Sequence, residues 1–127
     1  MKKDKETRKD ILNFVLDNIY WISDKAYQER VWIKGIGPEC NSFDDVVCDF
    51  FGDGDPMIAS YKDFGITDTQ YKILKKFRDR FRAFADDNDW PEQFIETTEW
   101  AEVREMAQEV LEAFNYPEDH VEKPGKS

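Results

Sequence analysis

The chain has 127 residues with a formal net charge of −10, and 15% of its residues are aromatic. Disordered acidic chains are poor in aromatic residues, so this composition predicts a folded domain of ordinary size. There is no apolar run of about 18 residues, which argues against a transmembrane helix. Residues 1–10 are of mixed charge without an apolar stretch, so we expect no signal peptide and a cytoplasmic protein.

The first third of the chain has the apolar spacing of helices. Its apolar positions repeat every three or four residues from about Glu6 to Ile22. Ser23 is a candidate N-cap for a shorter second helix that continues through Val31. The run from Arg30 to Ile33 fits either that helix or a short strand, and periodicity leaves both open.

The middle of the chain begins with a clear helix start. Ser42 and Asp45 form a capping box, and one helical face follows it with apolar side chains: Phe43, Val46, Val47, Phe50 and Phe51. Glycine disfavours helix interiors, so residues 52–54 are predicted to break this helix. Asp55 and Pro56 are then predicted to start another helix, which Gly65 would end.

The last part of the chain predicts one long helix, a short helix and a final helix. Thr67 and Gln70 make a second capping box, and an apolar stripe follows it to about Ala85. Residues 86–89 are predicted to form a loop, and Trp90 with Pro91 to start a short helix. Thr97 or Thr98 is expected to cap the final helix, which ends near Asn115 and Pro117. The pattern predicts an all-α, single-domain bundle of about five to seven helices over residues 1–117, with residues 118–127 as a disordered tail.

The acidic surplus is arranged in blocks. Residues 37–70 carry a formal charge of −7 and residues 86–112 carry −9, while residues 71–85 between them carry +5. The basic block is expected to be neutralised by its acidic neighbours, so we expect no nucleic-acid binding. Glutamates 102, 105, 109 and 112 share a helix face that points into water or towards a cationic partner.

Catalytic residues are scarce. The single histidine, His120, lies in the expected tail, and Cys40 and Cys48 lack metal-type spacing, so we expect reduced thiols, no enzyme, no cofactor and no metal. One enzyme alternative stays open: a Mg²⁺-dependent helical nucleotide hydrolase. Its ion would be held by carboxylates from two helices: Asp44, Asp45 and Asp49 facing Glu102, Glu105 and Glu109. An acidic DNA-mimic inhibitor is a second alternative.

Aromatic residues among the carboxylates favour a binding function. Trp90 lies within an acidic segment, residues 86–92, and Tyr61 lies between acidic turns. An aromatic anchor with an acidic rim is typical of a hot spot for a cationic protein surface.

Several short motifs resemble known bacterial proteins: Tyr27-x-x-Arg30-Val31-Trp32, Gly37-Pro38-Glu39-Cys40, Phe43-Asp44-Asp45 and Tyr61-Lys62-Asp63-Phe64-Gly65-Ile66-Thr67. Together they are similar to immunity proteins of contact-dependent growth inhibition and related toxin systems. The resemblance implies a cytosolic antitoxin that binds one cognate toxin domain, often a nuclease, and blocks its active or substrate-binding site. The resemblance does not identify any binding residue in this chain, because these immunity proteins share no binding motif.

The sequence therefore predicts an immunity protein that occludes a basic toxin domain, such as an RNase, by presenting carboxylates in place of phosphates. The candidate toxin-binding residues come from two segments: Asp44, Asp45, Asp49, Asp53, Asp55, Tyr61 and Asp63 from the first, and Asp86, Asp87, Asp89, Trp90 and Glu92 from the second.

Overall fold

A computed structural model describes residues 2–36 and 42–116, with side chains from Thr7 onward. Cys40, His120 and the expected tail, residues 118–127, lie outside the described residues. The described chain is a single helical domain without strands, which confirms the predicted all-α fold.

Within the described residues, six α-helices follow one another: α1 (Lys2–Ser23), α2 (Lys25–Tyr27), α3 (Phe43–Ala59), α4 (Asp68–Asp87), α5 (Pro91–Phe94) and α6 (Thr98–Ala113). Helix α2 continues directly into a π-helix at Gln28–Ile33, and a 3₁₀ turn at Tyr61–Phe64 connects α3 to α4. Helix α1 packs against α3 and α6, and α4 packs against the same two helices.

The core is rich in aromatic rings, and Trp100 lies at its centre. Its indole is fully buried and approaches Phe94 and Phe84 with ring centroids 4.8 and 5.1 Å away. Phe43 at the start of α3 packs on Phe94 with centroids 4.9 Å apart. Three helix ends and α5 therefore share one aromatic cluster, because α3 begins, α4 ends and α6 begins beside it.

The predicted helix starts are confirmed where they rest on local hydrogen bonding. Ser42 and Asp45 form the expected reciprocal capping box, as do Thr67 and Gln70. Thr97 caps α6 by accepting the Trp100 backbone N–H at 3.2 Å. Each cap joins groups three residues apart, so the sequence alone contains the whole interaction.

The predicted break at residues 52–54 is wrong, because α3 runs without interruption from Phe43 to Ala59. Both sides of the glycine pair bury apolar side chains on the same face, among them Phe50 and Met57. That burial offsets the cost of two helical glycines, about 1 kcal/mol each. Pro56 lies inside the helix at an exposed position, and Gly52, whose carbonyl it leaves without a helical donor, is exposed to water.

Two other expectations need correction, and one open alternative is decided. The N-cap of α2 is Asp24, which accepts the Tyr27 N–H at 3.2 Å, whereas Ser23 ends α1 and donates its hydroxyl to the Tyr20 carbonyl at 2.7 Å. For residues 30–33, where the sequence leaves helix and strand both open, the structure has a helix of the π type that continues α2. Residues 86 and 87 also belong to α4, so the loop after it is only residues 88–90.

Gln28 is a fully buried polar residue that no pattern in the sequence indicates. Its side-chain amide donates to the carbonyls of Trp21 and Ile22 at 2.7 and 2.8 Å. Its oxygen accepts the Trp100 indole N–H at 2.9 Å. The two carbonyls belong to the last turn of α1, which has no helical donors of its own. One side chain therefore satisfies three buried groups from two helices.

Replacing Gln28 by Met should cost about 2–4 kcal/mol of unfolding free energy, because Trp100 and two carbonyls would lose their partner in a dry site. Gln93→Met, at an exposed position of α5, is the matched control and should change stability by less than about 0.5 kcal/mol. Chemical denaturation monitored by circular dichroism measures both. Equal effects for the two variants would contradict this role of Gln28.

The continuity of α3 gives a second prediction. Gly52→Ala should stabilise the protein by about 0.5–1 kcal/mol, because the residue is helical and an added Cβ meets nothing within 4 Å. Gly65→Ala should destabilise it, because Gly65 has a φ of 76° where it ends the 3₁₀ turn. Urea denaturation of both variants checks the opposite signs, and a loss of stability in Gly52→Ala would mean that the helix breaks there after all.

Candidate protein-interaction surface

The predicted site residues are spread along α3, the 3₁₀ turn after it, and the segment from the end of α4 to α5. This helix has 17 residues, which corresponds to about 25 Å. Asp44 and Asp45 lie in its first turn, whereas Tyr61 and Asp63 lie in the 3₁₀ turn beyond its last residue. The twelve candidates therefore do not form one patch.

Near the C-terminal end of α3, the candidate Asp55 is already paired within the molecule. Asp55 accepts Nε and Nη2 of Arg78 at 2.9 and 3.0 Å, a bidentate pair that neutralises its charge. This hydrogen bonding raises the pKa of Arg78. Arg78 also forms an ion pair with Asp79. The pKa of Asp79 is lowered, mainly by the hydrogen bond that it accepts from Lys75.

Tyr61, expected to be an anchor for a partner, also has intramolecular contacts. Its hydroxyl donates to Asp68 at 2.7 Å, and its ring stacks on Tyr71 with centroids 4.1 Å apart. The hydrogen bond to Asp68 raises the pKa of Tyr61 above its usual value. A partner would have to displace or accommodate this stack to use Tyr61.

The exposed face of α3 carries a stripe of carboxylates, Asp44, Asp45, Asp49 and Asp53, and no described residue forms an ion pair with any of them. Asp45 is partly committed, since its carboxylate accepts the Ser42 N–H at 3.0 Å in the capping box. Asp44 and Asp45 gain from the helix N-terminus, but Asp49 and Asp53 do not. Their spacing of four residues places like charges side by side at a cost of about 0.2–0.5 kcal/mol.

A second group of carboxylates surrounds Trp90, and we call it the acidic end: Asp87, Asp89, Trp90 and Glu92. All four side chains are exposed, and no cation among residues 7–36 and 42–116 pairs with the three carboxylates. Trp90 is 63% exposed, the highest value among the large apolar side chains of the described chain. Neighbouring Asp86 differs, because Arg82 pairs with it at 2.9 Å.

The acidic end rests on the aromatic cluster around Trp100. Pro91 and Phe94 of α5 are buried, and Phe94 packs against both Phe43 and Phe84. This packing places the start of α3, with Asp44, at the same end of the molecule as the Trp90 loop. A rigid base beneath an exposed indole reduces the entropy that a partner must overcome on binding.

The carboxylates of α6 form a third exposed stripe: Glu102, Glu105, Glu109 and Glu112. Glu102 pairs with Arg80 at 3.0 Å, and the other three have no cationic partner within the described ranges. The six carboxylates of the hydrolase alternative, three from α3 and three from α6, are not brought together as a group that could hold a metal ion. Cys48 is a free, exposed thiol on α3.

No protein-family model matches the chain, and no curated protein or solved structure is significantly similar to it. The resemblance to immunity proteins therefore stays a prediction. Among the residues that the structure describes, no helix has both the length and the apolar character needed to cross a bilayer.

The Tyr61–Asp68 contact gives a third prediction. Asp68→Asn should move the pKa of Tyr61 down towards its usual value, because the negative charge that opposes ionisation is lost. Tyrosine-ring NMR titrated from neutral to alkaline pH measures this pKa directly. Asp63→Asn, which removes the same charge nearby without a hydrogen bond to Tyr61, is the control. If both variants shift it equally, the specific contact does not form in solution.

Proposed function

We propose that this protein is an immunity (antitoxin) protein that binds a basic toxin domain and covers its active or substrate-binding site with the acidic end. The observation that carries the proposal is Trp90, an indole 63% exposed to water among three carboxylates that no described cation neutralises. A single exposed apolar side chain is ordinary on a protein surface, but an indole surrounded by carboxylates has the composition of a hot spot for a cationic partner.

The composition of the acidic end fits a cationic protein surface. Tryptophan is among the most enriched residues in binding hot spots, where a large rigid ring fills a pocket on the partner. Its ring face also attracts lysine and arginine side chains. The carboxylates Asp87, Asp89 and Glu92 supply the complementary charge, and in a nuclease they would take the positions that substrate phosphates occupy.

Charges outside the contact would assist association. The stripe on α3 begins at the same end of the molecule, so Asp44 and Asp49 extend the negative field beside Trp90. Fields of this kind accelerate encounter with an oppositely charged partner, and added salt weakens them. We expect them to influence the association rate more than the dissociation rate.

Affinity capture from the native host tests the proposal. The wild-type protein should retain a basic polypeptide that mass spectrometry identifies, with a toxin domain encoded beside the gene for this chain as the expected candidate. The triple variant Asp87→Lys, Asp89→Lys, Glu92→Lys should lose it. A matched control, Glu105→Lys, Glu109→Lys, Glu112→Lys, makes the same charge change on α6 and should retain it.

Binding kinetics of the purified proteins then distinguish the contribution of Trp90 from that of long-range charge. Trp90→Ala should weaken binding by about 2 kcal/mol or more, mainly through faster dissociation. The association rate of the wild type should fall as salt rises. Growth rescue of cells that express the captured toxin measures neutralisation. A partner without net positive charge, an association rate independent of salt, or full capture by the acidic-end variant would each overturn the proposal.

A further inference from the structure

A groove of the opposite charge lies between α1 and the chain that connects α3 to α4. One cavity of about 220 Å³ is bordered by Lys9, Asn13 and apolar side chains that include Leu16 and Phe114. A second cavity, of about 350 Å³, is bordered by Arg8, Lys62, Asp63 and Phe64. Both are also lined by Lys9, Leu12 and Gly65, so they adjoin and form one basic groove.

The cations of the basic groove are not neutralised within the described chain. Arg8, Lys9 and Lys62 face one carboxylate, Asp63, and no described residue forms an ion pair with any of the three. In a protein with a formal charge of −10, these three cations lie together without a carboxylate partner among the residues described, and Lys62 also lies 6.0 Å from the centroid of the Tyr61 ring. The first turn of α4 lies beside them, since Ile66 and Gln70 also border the groove. The positive end of that helix dipole adds to the same field.

The floor of the groove is apolar. Leu16, Ile66 and Phe114 are buried residues whose edges border the cavity, and Leu12 is half-buried between the two cavities. The space beside Gly65 is open, because a Cβ at this residue would meet no atom within 4 Å. The Asn13 amide borders the cavity as the remaining polar group, and Gln70 is occupied by bonds to Thr67 and Ala113.

We propose that the basic groove binds a small anionic amphiphile, with a carboxylate or phosphate head near Lys9 and Lys62 and a short apolar body over Leu12 and Leu16. The cations determine the sign of the head group by charge complementarity. The apolar floor favours a ligand with an apolar part, because an anion without one would lose its hydration there and gain no apolar contact. Cavities of a few hundred Å³ match small ligands. This site is separate from the acidic end.

Titration with sodium octanoate, followed by ¹H–¹⁵N NMR, tests the proposal. Octanoate should give saturable shifts of the Gly65, Ile66 and Gln70 amides. Two further probes test the apolar chain and the charge separately. 1-Octanol has the apolar chain without the charge, and acetate has the charge with almost no apolar chain. Octanol should bind about tenfold more weakly than octanoate, and acetate should not saturate.

Variants assign the charge dependence to named residues. The double variant Lys9→Gln, Lys62→Gln changes exposed side chains and should weaken octanoate about tenfold while leaving octanol unchanged. Lys76→Gln, at an exposed position of α4 that borders neither cavity, is the control and should bind octanoate as the wild type does. Thermal melting confirms that each variant is folded.

The titrations distinguish a specific site from nonspecific binding. Saturable shifts at the three amides that depend on Lys9 and Lys62 support the site. Three results would each overturn it: no saturable shifts with octanoate, equal affinity for octanol, or equal weakening by Lys76→Gln.

Discussion

The side-chain amide of Gln28 connects the end of α1 to Trp100 of α6, two elements far apart in the sequence. Helix α1 ends at Ser23, and the carbonyls of its last turn require donors that the following π-helix does not supply through its backbone. Gln28 supplies two N–H groups to them and gives its oxygen to the indole of Trp100, 72 residues later. Because Trp100 packs on Phe94, together with Phe43 and Phe84, Gln28 contributes to the position of α5 and of the loop before it.

The sequence predicted features that are complete within a few residues. The capping boxes at Ser42 and Thr67 form as expected, because donor, acceptor and backbone lie within one turn. The continuity of α3 through Gly52 could not be predicted in this way, since the burial that offsets the glycines comes from α1 and α4. Gln28 was missed for the same reason. The neighbours of Gln28 in the sequence, Tyr27 and Glu29, do not reveal which carbonyls its side chain meets.

The candidate site shows the same limit for charge. The pair between Arg82 and Asp86 follows from a spacing of four residues, whereas the pair between Arg78 and Asp55 joins positions 23 residues apart. Sequence can count carboxylates but cannot tell which of them the fold neutralises. What the sequence did indicate is an aromatic residue in an acidic segment, and Trp90 is exposed there. The basic groove was not foreseen, because its cations come from both α1 and the turn after α3.

The two surfaces lie at opposite ends of α4, and this placement has a physical consequence. The basic groove borders the start of the helix at Gln70, and the acidic end begins at its last residue, Asp87, about 25 Å from Gln70 along the helix. The helix dipole is positive at the groove and negative at the acidic end, so it strengthens both fields. A cationic protein would therefore approach the acidic end first, where Trp90 lies, and the groove at the other end of α4 would stay open to solvent. Because salt screens charges over about 10 Å, occupancy of one surface should have little electrostatic effect on the other.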